Sequence, residues 1–302
     1  MTKNKTVFDF FYSRLLSGKI KEKSEVIIIS VAIVSFILHL LLVTLVNLNV
    51  LQLNDYSGIF RNPIAAIYTP FSFILIYEVY LLVYYLPKST TNYIGKQYEI
   101  ITLILIRSIF KDLANLQFTS DWFRVQNDLK FTYDLVATIV LFFLIFIFYR
   151  LNEKNDERHP KNSPLSLEIV KFIKMKNIIA MCLIPVFLIL AIVGFSRWVH
   201  GSFFSISQMV DSMKNVNTIF FNEFFTVLIL TDVLLLLISF LYTDKFYKVI
   251  RNSGFIISTI LIKLSFGIEG VLNTIMVVVA VLFGVLILLI HNQYEKMSLS
   301  ND

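Results

Sequence analysis

The sequence predicts an all-α polytopic membrane protein: about eight transmembrane helices as two similar four-helix bundles, with short cytoplasmic amphipathic helices. Three observations predict it. Of the 302 residues, 57% are hydrophobic and only 16% are charged, far from the usage of a soluble domain. The apolar residues come in runs of about 20, the length that crosses a hydrocarbon core about 30 Å thick. No hydrophilic stretch is long enough to form a separate soluble domain, so a soluble enzyme is excluded.

The first 25 residues carry Asp9, Arg14, Lys19, Lys21 and Lys23, which interrupt the apolar stretch that a signal peptide needs. Phe8, Phe11, Tyr12 and Leu15 ahead of the basic run predict an interfacial helix. Spans are then expected at 26–48, 64–86, 98–117 and 132–149, and again at 178–197, 219–242, 248–266 and 271–290. The last two follow from length. Residues 254–290 as one helix would be about 55 Å long at 1.5 Å per residue, so the chain must turn at Gly267-Ile268-Glu269-Gly270.

Between the two sets of spans lies the polar segment 150–176, whose Pro160 and Pro164 mark a linker. The expected domains are therefore 1–150, a linker at 151–176 and a second bundle at 177–302. Leu165, Ile169, Phe172 and Ile173 share one face of a short amphipathic helix in the linker. Pro70 and Pro185 are expected to kink their spans. Ala280 and Gly284 form a small-xxx-small pattern that lets a neighbouring helix come close.

With the N-terminus inside, 19 basic residues fall on the cytoplasmic side and six on the opposite side, with Arg107 and Lys263 within spans. This is the asymmetry of the positive-inside rule, and it makes both termini cytoplasmic. The 19 Lys against eight Arg, with abundant Ile, Asn and Phe, fit AT-rich bacterial coding and hence a bacterial cytoplasmic (inner) membrane. The net charge of +6 is then a matter of topology and of contact with anionic lipid headgroups, not of nucleic-acid binding.

The two halves resemble each other. A shift of 154 lays 71–82 on 225–236 and Glu78 on Asp232; a shift of 156 lays 101–107 on 257–263 and Arg107 on Lys263. Halves with an even number of spans share one orientation, so the duplication would be a parallel tandem repeat.

A charge near the bilayer centre costs at least about 2.5–3.5 kcal/mol, so these four residues should face protein or water. Depth suggests Glu78–Arg107 and, by analogy, Asp232–Lys263 pairs, acting either as locks of helix registry or as a relay for protons or small ions. Tyr77, Tyr80, Tyr84 and Tyr85 surround Glu78 on its span and could extend hydrogen bonds onward. His39, within the first span, could join such a relay or serve as an interhelical hydrogen-bond partner. Asp134 and Glu223 near the outer span ends, with Asp112, Asp121 and Glu269, could form an acidic outer vestibule or be solvated ends.

Recognisable chemistry is sparse. The single cysteine, Cys182, excludes an internal disulfide and Cys-based metal sites. Four scattered histidines argue against haem, and no cofactor is expected. The sequence has no HExxH, GxSxG, GxGxxG or Walker A pattern, so an enzyme, such as one acting on lipid at the membrane face, would need a nucleophile or metal that no motif here supplies. Two functional readings follow: conduction or transport of protons or small ions along the paired charges, or a non-catalytic scaffold or sensor subunit. The second would bind a protein partner, another copy of the chain or lipid through its basic cytoplasmic segments.

Overall fold

The computed structural model describes residues 16–51, 63–113, 126–156, 167–204, 209–242, 246–268 and 270–301. Among them the chain is all-helical, with eight α-helices and no strand: α1 (Gly18–Asn47), α2 (Tyr68–Tyr85, after a 3₁₀ turn at Pro63–Ile67), α3 (Thr90–Leu113), α4 (Gln126–Asp156), α5 (Leu167–Phe204), α6 (Met209–Phe240), α7 (Phe246–Ser265) and α8 (Val271–Asn301). The N-terminal interfacial residues Phe8, Phe11, Tyr12 and Leu15, and also Asp121, His159 and Glu269, lie outside the described residues.

Among the described residues, five segments are long and apolar enough to cross a membrane: Gly18–Asn47, Asp128–Glu153, Val170–Leu190, Glu223–Phe240 and Val271–Met297. The protein is thus a multi-pass membrane protein by length and composition. Helix α2 is apolar but short. Helices α3 and α7 fall at expected spans, yet α3 carries Lys96, Glu99 and Arg107 and α7 carries Lys248, Arg251 and Lys263, so neither is uniformly apolar.

Local chemistry sets the boundaries. The Ser17 hydroxyl caps α1 by accepting from the Ile20 N–H at 3.3 Å. Beyond the other end of α1, Asn49 takes a left-handed conformation at φ 57, which Asn tolerates better than most residues. The turn expected between the last two spans is present, and Gly270 at φ +78 occupies its left-handed position. The amphipathic segment expected as a separate linker helix is instead the beginning of α5. No Gly or Pro interrupts the chain from Leu165 to Ile184, so the helix runs on into the span and contains Pro185 without ending there.

By contacts the chain falls into two compact units, Met1–Pro87 with Asn177–Asn217 and Lys88–Lys176 with Thr218–Asp302. In the first, α1 packs on α2 through a narrow stripe that buries Ala32, His39, Val43 and Val46. Val26, Ile27, Ile33, Val34 and Ile37 are exposed, as suits a surface whose solvent is lipid.

In the second unit, α3 packs on α4, α7 on α8, and α4 on α8. Helix α4 exposes Ile139, Phe142, Phe143 and Phe146 and buries Asp134, Ala137, Thr138, Leu141 and Phe148. Close approach is built in. A Cβ on Gly284 would lie 1.7 Å from Tyr98 Oη, and one on Gly254 would lie 2.7 Å from Ile287. The small-xxx-small pattern of α8 is therefore a packing seat, as its spacing predicts: Ala280 is fully buried and its carbonyl accepts from Ser258 Oγ at 2.6 Å.

Candidate functional site

The second unit holds a polar cluster at the end where α3, α5 and α7 begin and α6 finishes. Its centre is Asp232 of α6, only 3% exposed. Gln97 Nε2 donates to Asp232 Oδ2 at 3.1 Å. Tyr93 lies one helical turn before Gln97 and therefore on the same face of α3. It is 2% exposed, and its hydroxyl sits beside the Asp232 carboxylate and the Gln97 amide without a well-formed hydrogen bond to either.

Lys176 of α5 completes the cluster. It is 4% exposed, lies along the Phe172 ring with Nζ 5.1 Å from the centroid, and donates to the Lys88 carbonyl at 3.0 Å and to Thr90 Oγ1 at 3.1 Å. These contacts put an ammonium at the start of α3, the positive end of the helix dipole, where a cation is disfavoured. The Arg251 guanidinium adds to that repulsion, and the Asp232 carboxylate across the cavity offsets part of it.

Between them is a partly open cavity of about 30 Å³, lined also by Thr90, Ser239 and Asn252 and walled by Ile94, Leu235, Leu236, Phe255 and Ile256. That volume accommodates one or two waters.

A further polar layer flanks the cavity. Arg251, next to Asn252, donates to its Oδ1 from Nε at 3.3 Å and from Nη2 at 3.2 Å. Its Nη1 lies 3.2 Å from His291 Nε2, while His291 Nδ1 lies 3.2 Å from the Tyr247 carbonyl. An arginine can only donate, so Nε2 accepts and the proton sits on Nδ1. Glu295 Oε2 lies 3.8 Å from the same ring. On the other side, Tyr149 donates to Glu99 at 2.5 Å and Asn152 to Asn92 at 2.7 Å.

Deeper in the unit, Ser258 spends its one proton on Ala280, so Tyr98 Oη, 2.8 Å from Ser258 Oγ, is the donor in that pair. Further on, Thr274 donates to Asp134 and Lys263 Nζ donates to Thr226 Oγ1 at 2.5 Å.

Set against protein families, curated proteins and solved structures, the chain gives no match.

The structure places the expected residues as follows. Asp232 lies with Gln97, Tyr93 and Lys176, whereas Lys263 lies against Thr226, six residues and hence about 9 Å along α6. The repeat suggested Lys263 as the cation for Asp232; the lysine that acts on it here, from across the cavity, is Lys176. Glu78 is buried in the first unit and Arg107 in the second. Tyr77 gives its hydroxyl to Glu25 at 2.7 Å. Tyr77, Tyr80 and Tyr84 follow one another as rings 6.3 and 6.4 Å apart, and Tyr84 meets Tyr85 edge-on. His39 Nδ1 lies 2.5 Å from Thr69 Oγ1, the interhelical hydrogen bond that was one of its two readings. Among the described residues, no three His, Cys, Asp or Glu side chains come together as metal ligands.

Sequence reasoning missed Tyr93, Gln97 and Lys176. A signal for Lys176 was present: it continues the series Leu165, Ile169, Phe172 at helical spacing and so falls on the apolar face of α5.

Proposed function

We propose that this multi-pass membrane protein conducts or transports protons or small ions through the polar interior of its second unit, with Asp232 as the loading group. One observation carries the reading: a buried carboxylate facing a water-sized cavity, with a buried lysine opposite and a buried tyrosine hydroxyl beside it. Ionisable groups at membrane depth are costly and mark ion pathways. The hydroxyls of Tyr98 and Ser258, and Asp134 with Thr274, extend polar groups from the cavity along the unit. The test is flux in proteoliposomes. Asp232→Asn should abolish it while the protein still folds; normal flux in that variant would overturn the reading.

Orientation follows from charge. The cavity end carries Lys88, Lys96, Lys171, Lys174, Lys248 and Arg251, and on the positive-inside rule it faces the cytoplasm of a bacterial inner membrane. Exposed Lys171 and Lys174 then lie where anionic headgroups are.

The tandem repeat gains support from register. Gly95 faces Tyr149; at a shift of 156 its counterpart is Arg251, which bonds His291, so α4 should map onto α8 by about 142. The contacts between α4 and α8 join residues 140 and 141 apart, Asp134 to Thr274 and Leu151 to Asn292. Equivalent residues of a parallel repeat face each other at one height across an axis along the membrane normal. At the shift of 140, buried Ala137, Leu141, Ile145 and Phe148 fall on buried Val277, Val281, Val285 and Leu288. On this reading the duplicated hairpins α3–α4 and α7–α8 pack against each other.

A further inference from the structure

We infer that the species loaded at Asp232 is a proton delivered by water held in the cavity, and not a metal cation; the inference rests on the ion-handling reading above and names its substrate. A sodium, potassium or divalent ion needs a shell of several oxygens; of those that line the cavity with Asp232, Thr90 Oγ1 already accepts from Lys176 and Asn252 Oδ1 from Arg251, which leaves only the hydroxyls of Tyr93 and Ser239. Gln97 turns its amide nitrogen to the carboxylate, Lys176 presents an ammonium, and the start of α3 presents the positive end of its dipole. Of the charged groups beyond, Arg251 of α7 repels the Lys176 ammonium, with His291 and Glu295 of α8 next to Arg251 in turn. A metal cation entering here would meet two fixed cations before its single carboxylate.

Water fits where a metal ion does not. The cavity of about 30 Å³ holds one or two waters when they find two to four polar partners each. Tyr93, buried in the lining of the cavity and making no well-formed hydrogen bond through its hydroxyl, offers such a partner, and Asp232, Lys176 and Thr90 line the same space. In the loading step a hydronium ion in the cavity gives one proton to Asp232; the carboxylate becomes a neutral carboxyl and a water molecule remains. Neutral Asp232 no longer offsets the ammonium at the start of α3, so Lys176 is the group that favours release of the proton. Tyr93 is a positioning residue, which holds the water that carries it.

The experiment uses the full chain in vesicles and reads two signals: the infrared band of a protonated carboxyl as pH is stepped, and proton flux by a pH-sensitive dye with sodium, potassium or only a bulky organic cation present. The expected result is a carboxyl band that rises at low pH, shifts in D₂O and vanishes in Asp232→Asn, with flux unchanged by the choice of cation. Tyr93→Phe, which preserves ring packing, should keep the band and slow flux by about tenfold or more. Flux that requires sodium or potassium, with no carboxyl band, would overturn the inference and leave the ion-handling reading standing. A titrating band without flux would overturn transport and leave proton loading standing, and the absence of both would overturn both. Tyr93→Phe at full speed would remove the water-positioning role.

Discussion

The two compact units treat the same apolar alphabet in opposite ways. In the unit of Met1–Pro87 and Asn177–Asn217, α1 buries a single stripe and leaves most of its branched aliphatic side chains exposed. Polar contacts there include Glu25–Tyr77 and His39–Thr69. In the unit of Lys88–Lys176 and Thr218–Asp302, apolar residues face outward and the interior holds carboxylates, amides, hydroxyls and two glycine seats. Between lipid-solvated helices the hydrophobic effect gives little drive to associate, so cohesion comes from close packing and hydrogen bonds. The second unit has many of both.

That contrast can be broken most severely at Lys176. Lys176→Met should destabilise the protein by about 2–4 kcal/mol, since it takes a buried donor from the Lys88 carbonyl and Thr90 Oγ1 and leaves those acceptors unsatisfied, and adding Asp232→Leu should return the part due to the charge across the cavity. Unfolding in detergent measures both, and strictly additive losses would show that the two charges do not interact. Next comes Gly284→Ala, whose methyl would meet the Tyr98 hydroxyl and should cost about 1–3 kcal/mol. Tyr98→Phe in the same chain should recover part of that loss, and an unchanged midpoint in Gly284→Ala would mean the helices separate freely.

In the first unit, removing the His39–Thr69 hydrogen bond with Thr69→Val should cost about 0.5–1.5 kcal/mol. A larger loss would show that this unit, too, relies on polar contacts. Smallest of all, Ile33→Val on the exposed face of α1, 54% exposed, should change the midpoint by less than about 0.5 kcal/mol. A cost like that of a core substitution would mean that this face is covered by protein.

The helices were legible because runs of apolar residues end where Gly, Pro or charge begins, as at Gly267 to Gly270. The small-xxx-small seat and the hydrogen bond of His39 were legible for the same local reason. The partner of Asp232 was not. Lys176 stands in a basic stretch, and counting it as linker charge hid its place in the helical series; only the continuity of α5 from Leu167 brings it under Phe172 and into the cavity. Tyr93 and Gln97 were hidden by the ordinary polarity of a span's first turns. The duplicated acids drew attention to Asp232, but its neighbours come from α3 and α5, and packing between helices far apart in sequence is not written in any one of them.

The mixed character of α3 and α7 bears on how the chain enters its membrane. A segment carrying Lys248, Arg251 and Lys263 partitions poorly by itself from the translocon into lipid. Helix α8 follows within the turn at 266–270 and is strongly apolar, so α7 should insert only with α8, as a preformed hairpin. Halting synthesis just after Ser265 should leave α7 accessible to water-soluble probes, and lengthening the chain through Met297 should seal it.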